Sequence, residues 1–210
     1  MDHSQQAVSV FNRLARENEE MFMDVSLYTE PLNRFCSLVP TPEPQVLELG
    51  CGPGNVSAYV LKQRPDFRLY GTDLSENMVA IARKNNPSAT FSVMDCREAH
   101  RLQQSYKGII ASFVLPYLPY EEAGKLVADC ASLLQKGGIL YLSTIEGAYS
   151  SSGPKQSSRG DWVYQHYYLK EDLLGFCSKQ QLNPVEEYRI KSVMGNGQEV
   201  VDLVVLAQKG

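Results

Sequence analysis

Acidic residues and glycines carry most of the chemistry legible in this chain. In VLELGCGPGN, Val46 to Asn55, Glu48 precedes Gly50, Cys51, Gly52 and Gly54; Asp73 follows nineteen residues after the last glycine, near the end of RLYGTDL, and Asp95 with Cys96 closes ATFSVMDC. A glycine turn after a strand lets a ligand approach the backbone, because glycine accepts positive φ and presents no side chain. Three ligands suit such a turn: a dinucleotide, a nucleotide phosphate, or a molecule without phosphate. Dinucleotide turns space their glycines as G-x-G-x-x-G, and phosphate loops run G-x-x-x-x-G-K-[ST]. Here the glycines alternate, position 55 is Asn, and no Lys follows, so the spacing fits neither pattern.

The elements that must position these residues follow from periodicity. Helical and strand patterns alternate with short connections, as in a layered α/β fold with a mainly parallel sheet. Helical patterns dominate residues 1–40, with Val10, Phe11 and Leu14 on one stripe and Met21, Phe22 and Val25 further on, and TPEPQ, Thr41 to Gln45, ends them. Strands are expected over Val46–Leu49, Arg68–Leu74, Ala89–Asp95, Gly108–Leu115 and Ile139–Ile145, with a hairpin of Val185–Met194 and Val200–Gln208 around Gly195–Gly197. Helices are expected over Asn55–Arg64, Glu76–Asn86 with Ser75 as its cap, Glu121–Gln135 closed by Gly137 and Gly138, and Leu169–Gln180. The segment Glu146 to Tyr168 reads as long and irregular, a lid or a disordered loop.

Composition narrows the function classes. The 210 residues are those of one soluble domain, and the formal net charge of −4 with no gathered basic stretch speaks against nucleic acid. Five widely spaced cysteines without a C-x-x-C pair indicate neither a disulfide framework nor a zinc site, so no metal is expected. No signal peptide and no apolar run of the roughly 20 residues needed to span a membrane are present, which points to a cytoplasmic protein without membrane partners.

E-x-G-x-G-x-G, the acidic residue ending the second strand, the Asp95–Cys96 pair ending the third, and LLQKGGILYLS after the helix from Glu121 together resemble the class I S-adenosylmethionine-dependent methyltransferases over about residues 40–208. The resemblance implies a doubly wound, mainly parallel seven-stranded sheet with a C-terminal antiparallel hairpin. It also implies a cap over residues 1–40, a core over 41–210 and S-adenosylmethionine as cofactor, with S-adenosylhomocysteine as product. The physics agrees, because this ligand carries an amino acid, a ribose and an adenine but no phosphate. Asp73 is expected to accept from both ribose hydroxyls, Asp95 and the Cys96 backbone to meet the adenine edge, and Leu74 and Met78 to flank the ring. Glu48 suits the ligand's ammonium, and the missing side chains at Gly50 and Gly52 would supply room. Phe113 is expected on the methionine side, Tyr28 to close over the ligand and Arg34 to approach its carboxylate. Each residue also has a plain structural use, as turn glycine, helix cap or packing group.

Methyl acceptors have no fixed signature. FVLPYLP, Phe113 to Pro119, resembles but does not match the [DN]-P-P-[YFW] motif of enzymes acting on base or glutamine amino groups, because Val114 and Leu115 replace its polar residue and first proline. Neither the paired glutamates of the protein arginine enzymes nor the metal cluster of the catechol type is recognisable, so a small-molecule acceptor is favoured. The fourth strand also begins Tyr106-Lys107-Gly108, where many relatives carry an aromatic-Asp pair. DWVYQHYY, Asp161 to Tyr168, offers an aromatic wall with His166 as candidate base, and Tyr117 is a candidate acceptor contact or weak base. The alternatives are a protein of the same fold that binds the cofactor without transferring, and a nicotinamide-dependent oxidoreductase, which the glycine spacing disfavours.

Overall fold

A computed structural model describes residues 8, 10–13, 15, 24–40, 42–156, 160–194 and 197–210. The elements are α1 (Thr29–Leu38), β1 (Gln45–Leu49), α2 (Asn55–Gln63), β2 (Arg68–Asp73), α3 (Glu76–Asn85), β3 (Thr90–Val93), β4 (Tyr106–Ala111), α4 (Tyr120–Leu133), β5 (Leu134–Ile145), β6 (Gly153–Gln156), β7 (Trp162–Gln165), α5 (Lys170–Ser178), β8 (Leu182–Val193) and β9 (Glu199–Lys209). Seven strands form one sheet in the order β3-β2-β1-β4-β5-β9-β8. The first five are parallel, and β9 is antiparallel to both β5 and β8. This is the expected doubly wound sheet with its C-terminal hairpin.

Strand order reverses between β1 and β4, and in open α/β sheets ligands bind outside the carboxyl ends of the strands at such a switch point. β1 is buried on both faces, which explains why VLEL reads as an apolar run rather than an alternation. One core cluster packs Leu32, Phe35, Val60 and Val79 of α1, α2 and α3 against Val46 and Ile110; the other packs Leu126, Val127, Leu173 and Phe176 of α4 and α5 against Leu47 and Ile109. Successive strand residues thus feed opposite layers. Glu48 shares the parity of Val46 and faces α2.

Local chemistry sets the helix starts. The Ser75 hydroxyl accepts from Met78 N–H at 3.1 Å at the head of α3, with Glu76 in the first turn and Arg83 and Lys84 in the last. Two sequence expectations need correction. Gly137 and Gly138 do not close α4, which ends at Leu133 and runs directly into β5. They lie in the irregularity where the β4–β5 pairing jumps from Tyr106↔Leu134 to Gly108↔Ile139, and Gly137 adopts φ +75° there. Nor are the described residues of segment 146–168 wholly irregular: β6 and β7 pair antiparallel, and Glu146 bridges to Tyr168. Cross-strand hydrogen bonds there satisfy a backbone whose Ser- and Gly-rich composition had suggested a loop.

At the N-terminus, Val8, Val10 to Arg13 and Ala15 are helical, and a 3-10 turn, Ser26–Tyr28, leads into α1. The expected stripe positions Leu14, Met21 and Phe22, the linker's Thr41, the turn residues Gly195 and Asn196, and positions 157–159 of the expected lid lie outside the described residues.

Candidate functional site

The glycine turn links the carboxyl end of β1 to α2, and all three glycines have positive φ: +65° at Gly50, +52° at Gly52 and +81° at Gly54. Their side-chain vacancies are used differently. A Cβ at Gly50 would stand 2.6 Å from Val114 Cγ2, and one at Gly54 2.4 Å from Asn86 Nδ2, whereas one at Gly52 would meet nothing within 4 Å. Gly50 and Gly54 therefore let the turn pack on the β4 loop and on α3. Open room lies at Gly52 alone of the three, so the expectation that Gly50 also provides it is corrected: Val114 fills that space. Cys51 N–H donates to Thr72 O at 2.8 Å and ties the turn to β2, with the Cys51 side chain buried.

Asp73 ends β2 beside this turn. Its carboxylate accepts from Gly52 N–H at 2.9 Å and Ser75 N–H at 2.8 Å, so one side chain joins the turn to the head of α3. Burial raises its pKa above the ordinary carboxylate range, against the lowering pull of those amides. Glu48 is 1% exposed and accepts from the Ser57 hydroxyl in the first turn of α2. Burial first, and the neighbouring Asp73 charge besides, push its pKa up to about 8. Asp73 thus takes the Gly52 amide at the one open glycine of the turn, and buried Glu48 lies near enough to feel the Asp73 charge. A cationic, hydroxyl-bearing ligand would suit both acids, and the Gly52 amide is not left to meet a phosphate.

On the far side of Asp73, Leu74 is half-buried and Met78 buried. Asp95 caps a 3-10 turn, Cys96–Arg101, through Arg97 N–H at 2.9 Å, and its carboxylate also binds the Arg97 guanidinium at 2.6 Å. Burial, with Asp95 beside it, pushes the Cys96 thiol up to about 12. Asp95 therefore shows the plain structural use that the sequence allowed it, while remaining at the same strand edge.

Phe113 follows β4 with φ +53°, a conformation uncommon outside glycine. It is held there by its N–H donating to Ser143 Oγ of β5 at 2.9 Å, and the Tyr28 ring meets its ring edge-on at 5.4 Å between centroids. The Tyr28 hydroxyl donates to Asp202 of β9 at 2.7 Å. Arg34 pairs with Glu186 of β8, so its guanidinium is engaged by the C-terminal hairpin.

The Tyr117 ring packs edge-on against Phe11 at 5.2 Å, and burial pushes its hydroxyl up to about 12. His166, distant in sequence, is brought beside the residue before Tyr117: its backbone N–H donates to Pro116 O at 2.8 Å. His166 is 6% exposed; its ring stacks on Tyr149 at 5.5 Å and meets Tyr164 at a tilt at 4.8 Å. Tyr168 is fully buried and donates to Leu118 O, so the aromatic wall is partly core. Sequence reasoning missed Ser57, Val114, Asn86, Ser143, Asp202 and Asn12, whose Oδ1 accepts from the Ser75 hydroxyl. Val114 lies in FVLPYLP and Ser143 ends LLQKGGILYLS, but neither motif gave them this role; the other four sit in none, and only Ser75, read as a cap, pointed toward this neighbourhood. Among the described residues no group of three or more His, Cys, Asp or Glu is disposed to hold a metal, and no helix is long and apolar enough to cross a membrane.

Comparison with known proteins follows this geometry. Residues 46–138 match the model of the methyltransferase domain family. A trans-aconitate 2-methyltransferase of Variovorax paradoxus is 34% identical over 115 residues, 54% of this chain and 44% of that protein. A malonyl-[acyl-carrier protein] O-methyltransferase of Bacillus cereus is 28% identical over 144 residues, 63% of this chain and 52% of that one. The chain thus spans about half the length of these relatives. Among solved structures, the magnesium protoporphyrin IX methyltransferase of Synechocystis with bound S-adenosylhomocysteine superposes over 100% of both chains with a TM-score of 0.75 at 17% identity. At that identity the likeness speaks for the fold.

Proposed function

We propose that this chain is a class I S-adenosylmethionine-dependent methyltransferase and transfers a methyl group to a small-molecule acceptor by in-line displacement, a reading supported by its fold and by the family match over residues 46–138. The observation that carries the reading is the pairing of Asp73 with the amide of Gly52, the open glycine of the turn, beside the buried acid Glu48. A phosphate-binding turn would aim amides outward, but here the Gly52 amide is given to a carboxylate.

Asp73 would accept from the ribose hydroxyls and Glu48 would meet the ammonium, within the turn formed by Gly50, Cys51, Gly52 and Gly54. Asp95 and the Cys96 backbone would address the adenine edge, Asp95 sharing its carboxylate with Arg97, while Leu74 and Met78 flank the ring. Phe113 and Tyr28 would line the methionine side. Arg34 would have to leave Glu186 to meet the ligand's carboxylate. When bound, S-adenosylmethionine supplies a methyl group already activated by its sulfonium. The chain's own task is therefore to hold an acceptor in line and exclude water, which can be worth roughly 7 to 11 kcal/mol.

A base is needed only where the acceptor must lose a proton. A carboxylate acceptor would need none. His166 is the candidate base for an acceptor that does, and Tyr117, with its hydroxyl up at about 12, would donate a hydrogen bond at neutral pH rather than take a proton. The 210 residues are proposed to act as one cytoplasmic domain, with 1–40 capping the cofactor core of 41–210 and 146–168 closing over the acceptor.

The reading is tested by incubating the protein with methyl-labelled S-adenosylmethionine and a deproteinised, nuclease-treated cell extract. Label should pass to low-mass compounds, and not with Asp73→Ala. Label remaining on the donor would contradict transfer, and label appearing only when protein or nucleic acid is restored would contradict the small-molecule acceptor.

A further inference from the structure

Asp202 is a buried acidic residue in a strand that is otherwise apolar through Leu203, Val204, Val205, Leu206 and Ala207, and it is 3% exposed. It pairs across the sheet with Ile145, the last residue of β5, so it lies at the carboxyl rim where the glycine turn and Phe113 also lie. Packing does not call for an acid at this position. Its carboxyl accepts from the Tyr28 hydroxyl at 2.7 Å across 174 residues of sequence. Tyr28 in turn lays its ring edge-on against Phe113, whose positive φ is held by Ser143. Strained residues that the surroundings hold in place cluster at functional sites, and here three elements far apart in sequence do the holding.

Building on the methyltransferase reading, we propose that Asp202 is a positioning residue: through Tyr28 it fixes the aromatic pair Tyr28–Phe113 that forms the methionine end of the cofactor pocket, and so ties the C-terminal hairpin and the N-terminal cap to that end. Asp202 itself touches no reacting atom. Tyr28 sits in the 3-10 turn just before α1, so losing the hydrogen bond frees both the ring and the entry to that helix. The adenosine end, held by Asp73, is on the other side of the glycine turn and does not depend on it.

Calorimetric titration with two probes separates the ends: S-adenosylhomocysteine, which carries the amino acid, and 5′-methylthioadenosine, which lacks it. Tyr28→Phe and Asp202→Ala should each weaken S-adenosylhomocysteine about tenfold, the loss of one hydrogen bond to an acidic group, and leave methylthioadenosine unchanged. Asp202→Asn, whose amide oxygen still accepts from Tyr28, should restore most of the affinity, and the double variant Tyr28→Phe/Asp202→Ala should be no weaker than either single one. Amide exchange over residues 25–32 should quicken in Tyr28→Phe and Asp202→Ala but not in Asp202→Asn. Equal loss for both probes, or no loss with unchanged exchange, would overturn the proposal while leaving the methyltransferase reading standing. Failure of the unaltered protein to bind either probe would overturn both.

Discussion

Glu48 is the residue whose environment makes the sharpest demand. A carboxyl with a pKa near 8 in the folded protein and about 4.5 unfolded binds its proton more tightly when folded. The stability it contributes is therefore fully present below about pH 4.5 and is lost as pH rises through about 8. The ligand-free protein should lose on the order of a few kcal/mol across that window, and Glu48→Gln should flatten the profile in thermal unfolding followed against pH. A cation bound beside Glu48 favours the ionised form, so binding of S-adenosylmethionine between pH 6 and 8 should release a proton. Calorimetry in buffers of different ionisation enthalpy measures that release, and a value of zero would remove Glu48 from the ammonium contact. His166 makes a separate demand, because it is both a stacking ring and the candidate base. His166→Phe preserves the stack, so it should leave the melting temperature and S-adenosylhomocysteine affinity unchanged while lowering turnover of a hydroxyl acceptor by roughly 10²-fold or more. Unchanged turnover would assign His166 to packing.

At the scale of elements, the glycine turn separates folding from binding. Alanine at Gly50 or Gly54 combines positive φ with a Cβ driven into Val114 or Asn86, and each should cost about 2 kcal/mol or more in denaturant unfolding. Gly52→Ala has the strained φ but open space, so it should cost about 1 kcal/mol of stability and a larger share of cofactor affinity. The alternation of these glycines was legible because a tight strand-to-helix turn is local, and so were Asp73, Ser75 and the mainly parallel sheet that β–α alternation implies. Which glycine keeps open space was not legible, since it depends on Val114, Ala82 and Asn86, brought in from the β4 loop and α3. Gly137 and Gly138 misled for the opposite reason: a glycine pair after a helix is good cap chemistry, yet here the jump in the β4–β5 register uses it. Segment 146–168 misled because its composition suits a loop while its partners, β6 with β7 and Glu146 with Tyr168, form a ladder.

For the whole molecule, the sheet brings to one rim groups that the sequence scatters: Glu48 and Asp73 from adjacent central strands, Phe113 from β4, Asp202 from β9 and Tyr28 from the cap. The contacts that close the site run between partners 63 residues apart, as for Asn12 and Ser75, or 174 apart, as for Tyr28 and Asp202. No periodicity or spacing rule reaches that far, which is why the glycine turn and the acidic strand ends could be read from motifs and the contacts that bring Tyr28 and Asn12 to them could not. On the proposed function, this rim is built for an adenosyl amino acid without phosphate. Thermal unfolding with S-adenosylhomocysteine, with a nicotinamide dinucleotide and with neither, in the unaltered protein and in Asp73→Ala, tests it most directly. At about 100 times its dissociation constant S-adenosylhomocysteine should add roughly 2.7 kcal/mol and raise the midpoint by about 5 to 11 °C. At the same concentration Asp73→Ala, weakened about a hundredfold, should lose most of that shift. A shift with the nicotinamide dinucleotide alone, or an undiminished shift in Asp73→Ala, would contradict the claim.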